Sequence, residues 1–575
     1  MSHTRTSEGE GGEARRGKGR AKRILYCGCD RPAFGRLVTA MGESAGVEPE
    51  ADSGEVRFPH PRAELTWVPA FDAEEALSVL RASYVNLVLI DLRRTPGQKD
   101  FEDRVVRIRQ LLDALDDVED IEARYGFHRI VVLVSAADGD SVDPLLLELG
   151  GYGIRHVLKE AVQDEGGDAA FARRVLEAAL RLMFERQPSK TALCAAGGGT
   201  TGVYFEVGAL KCLGDCFSEG ALHNFDMYFG ISAGAVVNGL LTAGYSVDEL
   251  MAAVAGAEGG RIPPLNLALL RLGHVNLADM GWRLKKATAS TVRAAFDMAL
   301  LRGRPHLDDV FLSTTAIVGA PFRSDRFEDL LRDLLTRPGT TNDFRKLPYR
   351  LYVGASDQDA RRHMLFGSEG CDHIPISRAI QASLSVNPAF ASVPIEGHWY
   401  EDGAVTRTSN LVEAIRRKAD LVIVIDPFVP YVSRTPGSAN RRGVLYNIDQ
   451  DIRALSYTRY ENTRSWLLRR HPEVSSYTFL PNNRLRRLLS ANPMDHRPYL
   501  EIWRGAYLGT LARVKHLRHR MAGDLAVHGI ALDTERAEAV AQRLEATPQP
   551  ELRDFFPDGR IALRTPPLAL EHQIQ

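Results

Sequence analysis

The sequence predicts an α/β protein of two domains with a helical extension at its C-terminal side, and three observations carry that reading. Short runs of Val, Ile and Leu at 24–28, 64–70, 85–91, 130–135 and 154–159 alternate with stretches of helical spacing at 72–82, 101–115 and 170–184. Near-continuous apolar strands mean burial on both faces, hence a parallel sheet covered by helices, a doubly wound unit. A second start comes at Lys190, where the strand 191–196 runs into a glycine triplet and a helix over 203–213. Beyond Pro427 the chain turns mostly helical and Arg-rich. The expected boundaries are a basic tail at 1–22, a first domain at 23–187, a second at 188–427, and an extension at 428–575 packing on the second.

The remaining strands of the second domain are expected at 226–229, 350–354 and 419–425, with a mostly helical insertion at 247–310. A length of 575 residues exceeds what one core organises. Net charge is −2, which points away from nucleic acid. Arg15, Arg16, Lys18, Arg20, Lys22 and Arg23 give the tail a basic run with no apolar face, read as solvated. Six cysteines are too thinly spread for a disulfide framework. Cys27 and Cys29, and Cys212 and Cys216, are close in sequence but lack the partners of a spaced metal set; buried thiols in a reducing, cytoplasmic setting are the expectation. No apolar run approaches a membrane span and no signal sequence is expected, so contact with a membrane would be peripheral.

Three motifs bear chemistry. Gly230-Ile231-Ser232-Ala233-Gly234 follows the strand Met227-Tyr228-Phe229 and precedes a small-residue helix over 233–243. A serine on a sharp strand-to-helix turn exposes its hydroxyl, and the flanking glycines relieve the turn's crowding. The plain alternative is a helix-start loop with serine as N-cap. Gly197-Gly198-Gly199 opens a helix with bare backbone N–H groups, the donors a developing oxyanion needs. A phosphate-cradling loop is the alternative, but Thr200-Thr201-Gly202 stands where a Walker lysine would be required. A dinucleotide fingerprint would pair Gly197, Gly199 and Gly202 with Glu219 as its acid. Tyr400-Glu401-Asp402-Gly403-Ala404 presents a carboxylate beside a glycine, as a plain Asp-Gly turn also would.

In this order the three motifs resemble the patatin-like phospholipases. So do the segments 379–390 (AIQASLSVNPAF), 397–404 (GHWYEDGA) and 419–427 (ADLVIVIDP), the likeness covering about 190–427. The resemblance implies an α/β hydrolase domain acting on lipids or esters. Ser232 would be its nucleophile, Asp402 its base, and Gly197, Gly198, Gly199 and Ala233 its oxyanion hole. It implies no histidine, no metal in the hydrolase domain and no cofactor for hydrolysis. The chain departs from the family at Thr201, where most bacterial members carry Arg or Lys, and at 405–411 (VTRTSNL), which lacks the usual Asn-x-Pro. The alternatives are an α/β-hydrolase triad completed by His471, His496 or His528, and an inert signalling scaffold on the same fold.

The first domain resembles a response-regulator receiver of flavodoxin-like fold. Asp91 stands where the phosphoacceptor sits, with Ser135 and Lys159 at the ends of later strands. Asp30 alone stands where receivers pair two acids to hold Mg2+. With one carboxylate missing, the implied role is docking of a protein partner and regulation of the hydrolase.

Overall fold

A computed structural model of the protein describes residues 22–559 and 561, except 29, 53, 61–62, 94–100, 162–167, 185–187, 259, 266–321, 388, 493–494, 496 and 560. The basic tail before Lys22, Cys29, His496, most of the 247–310 insertion and the end of the chain lie outside the described residues. The chain divides into two compact units, one of residues 1–188 with 517–523, the other of 189–516 with 524–575.

The first unit is built on a seven-stranded sheet. Its strands are β1 (Lys22–Cys27), β2 (Glu50–Asp52), β3 (Glu55–His60), β4 (Ala63–Ala70), β5 (Leu87–Asp91), β6 (Ile130–Ser135) and β7 (His156–Glu160). Their order is β2-β3-β4-β1-β5-β6-β7, with β4 through β7 mutually parallel and β2 and β3 antiparallel at one edge. The parallel part has the doubly wound order of a flavodoxin-like fold. Alternation along each strand sends Leu87 and Leu89 into one core and Val88 and Ile90 into the other, so both faces are covered. The polar edge strands β2 and β3 and the helices Arg31–Ala45 and Val142–Tyr152 were not among the elements expected from sequence.

The second unit carries β8 (Lys190–Ala195), β9 (Met227–Ile231), β10 (Arg350–Asp357), β11 (Arg362–Phe366), β12 (Val393–Ile395), β13 (His398–Asp402), β14 (Ala419–Ile425) and β15 (Ser475–Phe479). Their order is β12-β13-β10-β9-β8-β14-β15, with β11 also paired to β10. The run β10-β9-β8-β14-β15 is parallel, while β11 and β13 join β10 antiparallel. The residues after 427 thus supply more than helices. β15, with the sequence SSYTF, closes the parallel sheet, and its Ser/Thr content hid it from an apolar-run reading. The long helices Val444–Arg470 and Tyr499–Val527 follow the expectation for that region.

Two buried acids lie behind this sheet. Glu206, inside the helix Gly199–Cys216, is fully buried with neither carboxyl oxygen hydrogen-bonded. It lies close enough to Asp426, just past β14, for the two charges to oppose each other. Asp426 accepts from the Phe428 amide at 2.8 Å through one oxygen, and the other is unpaired. Burial pushes the Asp426 carboxyl up to about 7 and Glu206 well above the usual carboxylate range. The folded state therefore keeps protons that the unfolded chain releases from about pH 4 upward, and stability falls as pH rises through that window. Thermal midpoints of wild type should decline between about pH 5 and about pH 8, and Asp426→Asn should make the decline shallower. Identical slopes for both proteins would mean that Asp426 titrates as an ordinary exposed carboxylate.

Candidate active site

The turn from β9 into the helix Ala233–Thr242 holds Ser232 at φ 52°, ψ −116°. Few side chains adopt such a backbone, and the packing around the turn enforces it. A Cβ at Gly234 would come within 2.3 Å of the Ala195 carbonyl oxygen, and one at Gly230 within 2.4 Å of Ala235 Cα. The Gly234 amide donates to the Ala196 carbonyl at 2.9 Å. The two glycines thus let the turn press against the end of β8, which sets the serine beside the glycine triplet. A Cβ on Gly197 would lie 3.3 Å from Ser232 Cβ and 3.8 Å from Ser232 Oγ.

Behind that triplet, the helix Gly199–Cys216 begins with Gly199 at φ 65° and its first turn closes from the Gly202 amide to the Gly198 carbonyl. The amides at the start of that helix precede its own bonding and carry the positive end of its dipole. Pro427 packs on Gly198 and Gly202 from behind. Thr201 is buried and its hydroxyl lies 3.4 Å from the Gly198 and Leu489 carbonyls. Buried Arg453, from the helix Val444–Arg470, reaches the Pro427 and Leu489 carbonyls at 3.4 Å each and stacks over Phe428.

Asp402 arrives at the end of β13, paired to Ala355 of β10. Its carboxylate accepts from the Ala404 amide at 2.8 Å and lies near enough to the Ser232 hydroxyl to be stabilised by it. Both side chains are almost fully buried, Ser232 at 5% and Asp402 at 3% exposure. Desolvation pushes the Asp402 carboxyl up to about 6, against the Ala404 amide and the Ser232 hydroxyl, which favour its charged form. Gly403 is required by a close approach rather than by an unusual φ. A Cβ there would meet the Gly354 carbonyl oxygen at 2.5 Å.

Several supporting groups carry no motif of their own. The Ser232 amide donates to Ser383 Oγ at 2.8 Å, and Ser383 donates onward to the Gly354 carbonyl at 2.6 Å. That occupies the serine's own N–H within the fold. Asp402 N–H donates to the Ser385 carbonyl at 3.0 Å, and Ser356 Oγ bonds the Asp402 carbonyl and Thr406. Thr406 bonds His363 Nδ1, whose Nε2 meets Asn410. Burial lowers this imidazole to about 4, keeping it neutral, and both its nitrogens are occupied, so it positions the Asp402 loop and completes no triad. His471 pairs with Glu473, and the half-buried His528 meets Asp420 at 3.1 Å.

In the first unit the structure brings Asp91 together with Arg93 and Tyr26, not with Lys159. Arg93 clamps the carboxylate at 2.9 and 2.8 Å and reaches Glu160 at 2.9 Å, while Tyr26 donates to Asp91 at 2.9 Å. Lys159 lies two residues after Val157, which packs in the opposite core from Leu89, so strand alternation sends it to the face away from Asp91. Glu160 takes the near side. Ser135 caps its own turn through Ala137 N, and Asp30 caps the helix Arg31–Ala45 through Ala33 N at 2.6 Å. A guanidinium already saturating Asp91 does not fit the donor set a Mg2+ ion needs.

With this geometry in hand, comparison is informative. Residues 193–415 match the family model described as patatin-like phospholipase, so the chain carries a patatin-like phospholipase domain, which supports lipid acyl hydrolysis in general terms. A search of curated proteins finds no match. Among solved structures, the chain is similar to VipD from Legionella pneumophila at 14% identity, covering 63% of this chain and 74% of that one with a TM-score of 0.26. The cytosolic domain of the T. maritima FeoB iron transporter is similar at 10% identity, over 34% and 74% of the two chains, TM-score 0.19. Elongation factor SelB from Methanococcus maripaludis is similar at 13%, over 32% and 40%, TM-score 0.20. At these scores the structural likenesses are too loose to bear on fold or function.

The Ser383 contact yields a test. Ser383→Ala removes the acceptor that holds the Ser232 amide and leaves that N–H unpaired, a loss of about 1–3 kcal/mol at the turn. Turnover should fall on the order of tenfold while KM stays near wild type, as steady-state kinetics on a soluble ester would show. Unchanged turnover would mean that the Gly230 and Gly234 packing holds the serine alone.

Proposed function

We propose that the second unit is a serine lipid acyl hydrolase, of phospholipase A, lysophospholipase or esterase type, working through Ser232 and Asp402. The observation that carries this is a serine held on a strained turn beside a buried carboxylate raised to about 6. Ser232 Oγ attacks the ester carbonyl as its proton passes to Asp402, giving a tetrahedral intermediate. Amides of Gly198, Gly199 and Ala233, with Gly197 lining the loop, take the oxyanion charge. Collapse expels the alcohol, which recovers the proton from Asp402 and leaves an acyl-enzyme. Water then attacks the acyl carbon and gives a proton to Asp402, and collapse releases the fatty acid as Asp402 returns that proton to Ser232 Oγ. A free aspartate near pKa ~3.9 is a poor base at neutral pH, and the desolvated one is better matched.

Ser232→Ala should lower p-nitrophenyl ester turnover at least on the order of a thousandfold, and Asp402→Asn by about 10²- to 10⁴-fold. Because the base must be ionised, wild-type kcat/KM should rise with pH through an inflection near about 6 and level off above it. Full activity in the Ser232→Ala protein would end this assignment, and a large loss on His528→Ala with the protein folded would favour a triad.

For the first unit we infer a docking role that regulates the hydrolase without phosphoryl chemistry, supported by Arg93 holding both Asp91 oxygens. Acetyl phosphate with Mg2+ should leave Asp91 unlabelled by mass spectrometry, and deletion of residues 1–186 should change esterase rate or partner binding. Stoichiometric labelling of Asp91 that alters hydrolysis would make the protein a phosphorylation-switched lipase instead.

A further inference from the structure

The helix Val444–Arg470 turns two different faces to its surroundings. Inward, Arg453 supports the backbone behind the glycine loop. Outward, Val444, Ile448, Ile452, Leu455 and Trp466 are 73, 42, 37, 73 and 58% exposed. Spacings of four, four, three and eleven residues place these five on one stripe of a helix with 3.6 residues per turn. An exposed apolar stripe of this length is unusual on a free surface.

Its charge identifies the occupant. The exposed charged residues from 441 to 470 are Arg441, Arg442, Arg459, Arg469, Arg470 and the lone acid Asp451. The other acids of the helix, Asp449 and Glu461, are tied to Arg453 and Arg464. Arg442 lies over Tyr446 and Arg470 over Trp466, so arginine and aromatic side chains are paired at both ends of the stripe. A row of apolar side chains rimmed by Arg and aromatic rings is the composition of a helix lying in a lipid interface, where the rings and guanidinium groups sit at headgroup level. A second copy of the chain would set five arginines against five, which opposes self-pairing. The stripe also adjoins the site: Arg459 donates to the Ala404 and Val405 carbonyls, two and three residues past Asp402, and Val405 is itself 47% exposed.

We propose that the outer face of the helix Val444–Arg470 is an interfacial docking surface for an anionic phospholipid bilayer, which seats the mouth of the Ser232–Asp402 site on aggregated substrate. This rests on the hydrolase reading for its purpose but not for its physics, since binding requires only apolar burial and attraction of arginine to anionic headgroups.

The test uses the full chain carrying Ser232→Ala, so that vesicles stay intact, in co-sedimentation with phosphatidylcholine vesicles with and without phosphatidylserine. Binding should favour the anionic vesicles and weaken with salt. Leu455→Ser with Trp466→Ser, or Arg441→Gln with Arg442→Gln, should reduce it at least about tenfold. With Ser232 restored, these surface variants should cleave a soluble p-nitrophenyl ester at the wild-type rate, showing that they are folded, and should lose activity on anionic vesicles. Absence of vesicle binding, or equal binding by the variants, overturns the proposal. So does self-association of the wild type that Leu455→Ser with Trp466→Ser abolishes, which would make the stripe an interface between copies. Vesicle binding in a protein without esterase activity would instead overturn the hydrolase reading and leave the docking surface standing.

Discussion

The contact between Gly234 and the end of β8 is the constraint on which the second unit's site depends. The Gly234 amide bonds the Ala196 carbonyl, and there is no room for a Cβ between that glycine and Ala195. The approach fixes the serine turn against the glycine triplet, so Ser232 and the triplet's backbone are placed by one piece of backbone packing. From the other side, β10 passes so near Gly403 that Asp402 is delivered to the same point. Two close backbone approaches, each admitting only glycine, bring together residues 170 positions apart.

Two aspartates at strand ends show how surroundings divide one residue type into two behaviours. Asp402 is buried with neutral donors, an amide and a hydroxyl, and desolvation raises its proton affinity toward that of a useful base. Asp91 is also buried but is held by a guanidinium through both oxygens. Arg93 Nε, Nη2 and backbone N together with the Tyr26 hydroxyl give each Asp91 oxygen two donors, so its lone pairs are already taken. The first arrangement favours moving a proton, the second favours rigidity.

The helix Val444–Arg470 joins the surface of the second unit to its interior. Arg453 turns inward to the Pro427 carbonyl, while Arg459, on the exposed side with the apolar stripe, reaches the Ala404 and Val405 carbonyls. An element that reads from its sequence only as a long Arg-rich helix therefore contributes to the framework of both catalytic loops. Arg453 also caps the Pro427 carbonyl, and Pro427 in turn packs on Gly198 and Gly202.

The sequence alone pointed to the residues of the candidate site and to the parallel strands leading into the glycine triplet and the serine, but not to the antiparallel β13 that carries Asp402. Those signals are local: a glycine-flanked serine between strand and helix, a glycine run at a helix start, an acid before a glycine, and apolar runs long enough to be strands. It did not reveal β2, β3 and β15, whose polar composition is tolerated at sheet edges, or Ser383 and His363, single polar residues with no pattern around them. In the first unit, spacing placed Lys159 at a strand end beside Asp91, whereas strand alternation turned Glu160 toward it and a neighbouring Arg93 captured the carboxylate. Only the tertiary structure decided those points, and the proton affinity of Asp402 with them, because burial and hydrogen-bond partners come from chain segments far apart in sequence and no local pattern encodes them.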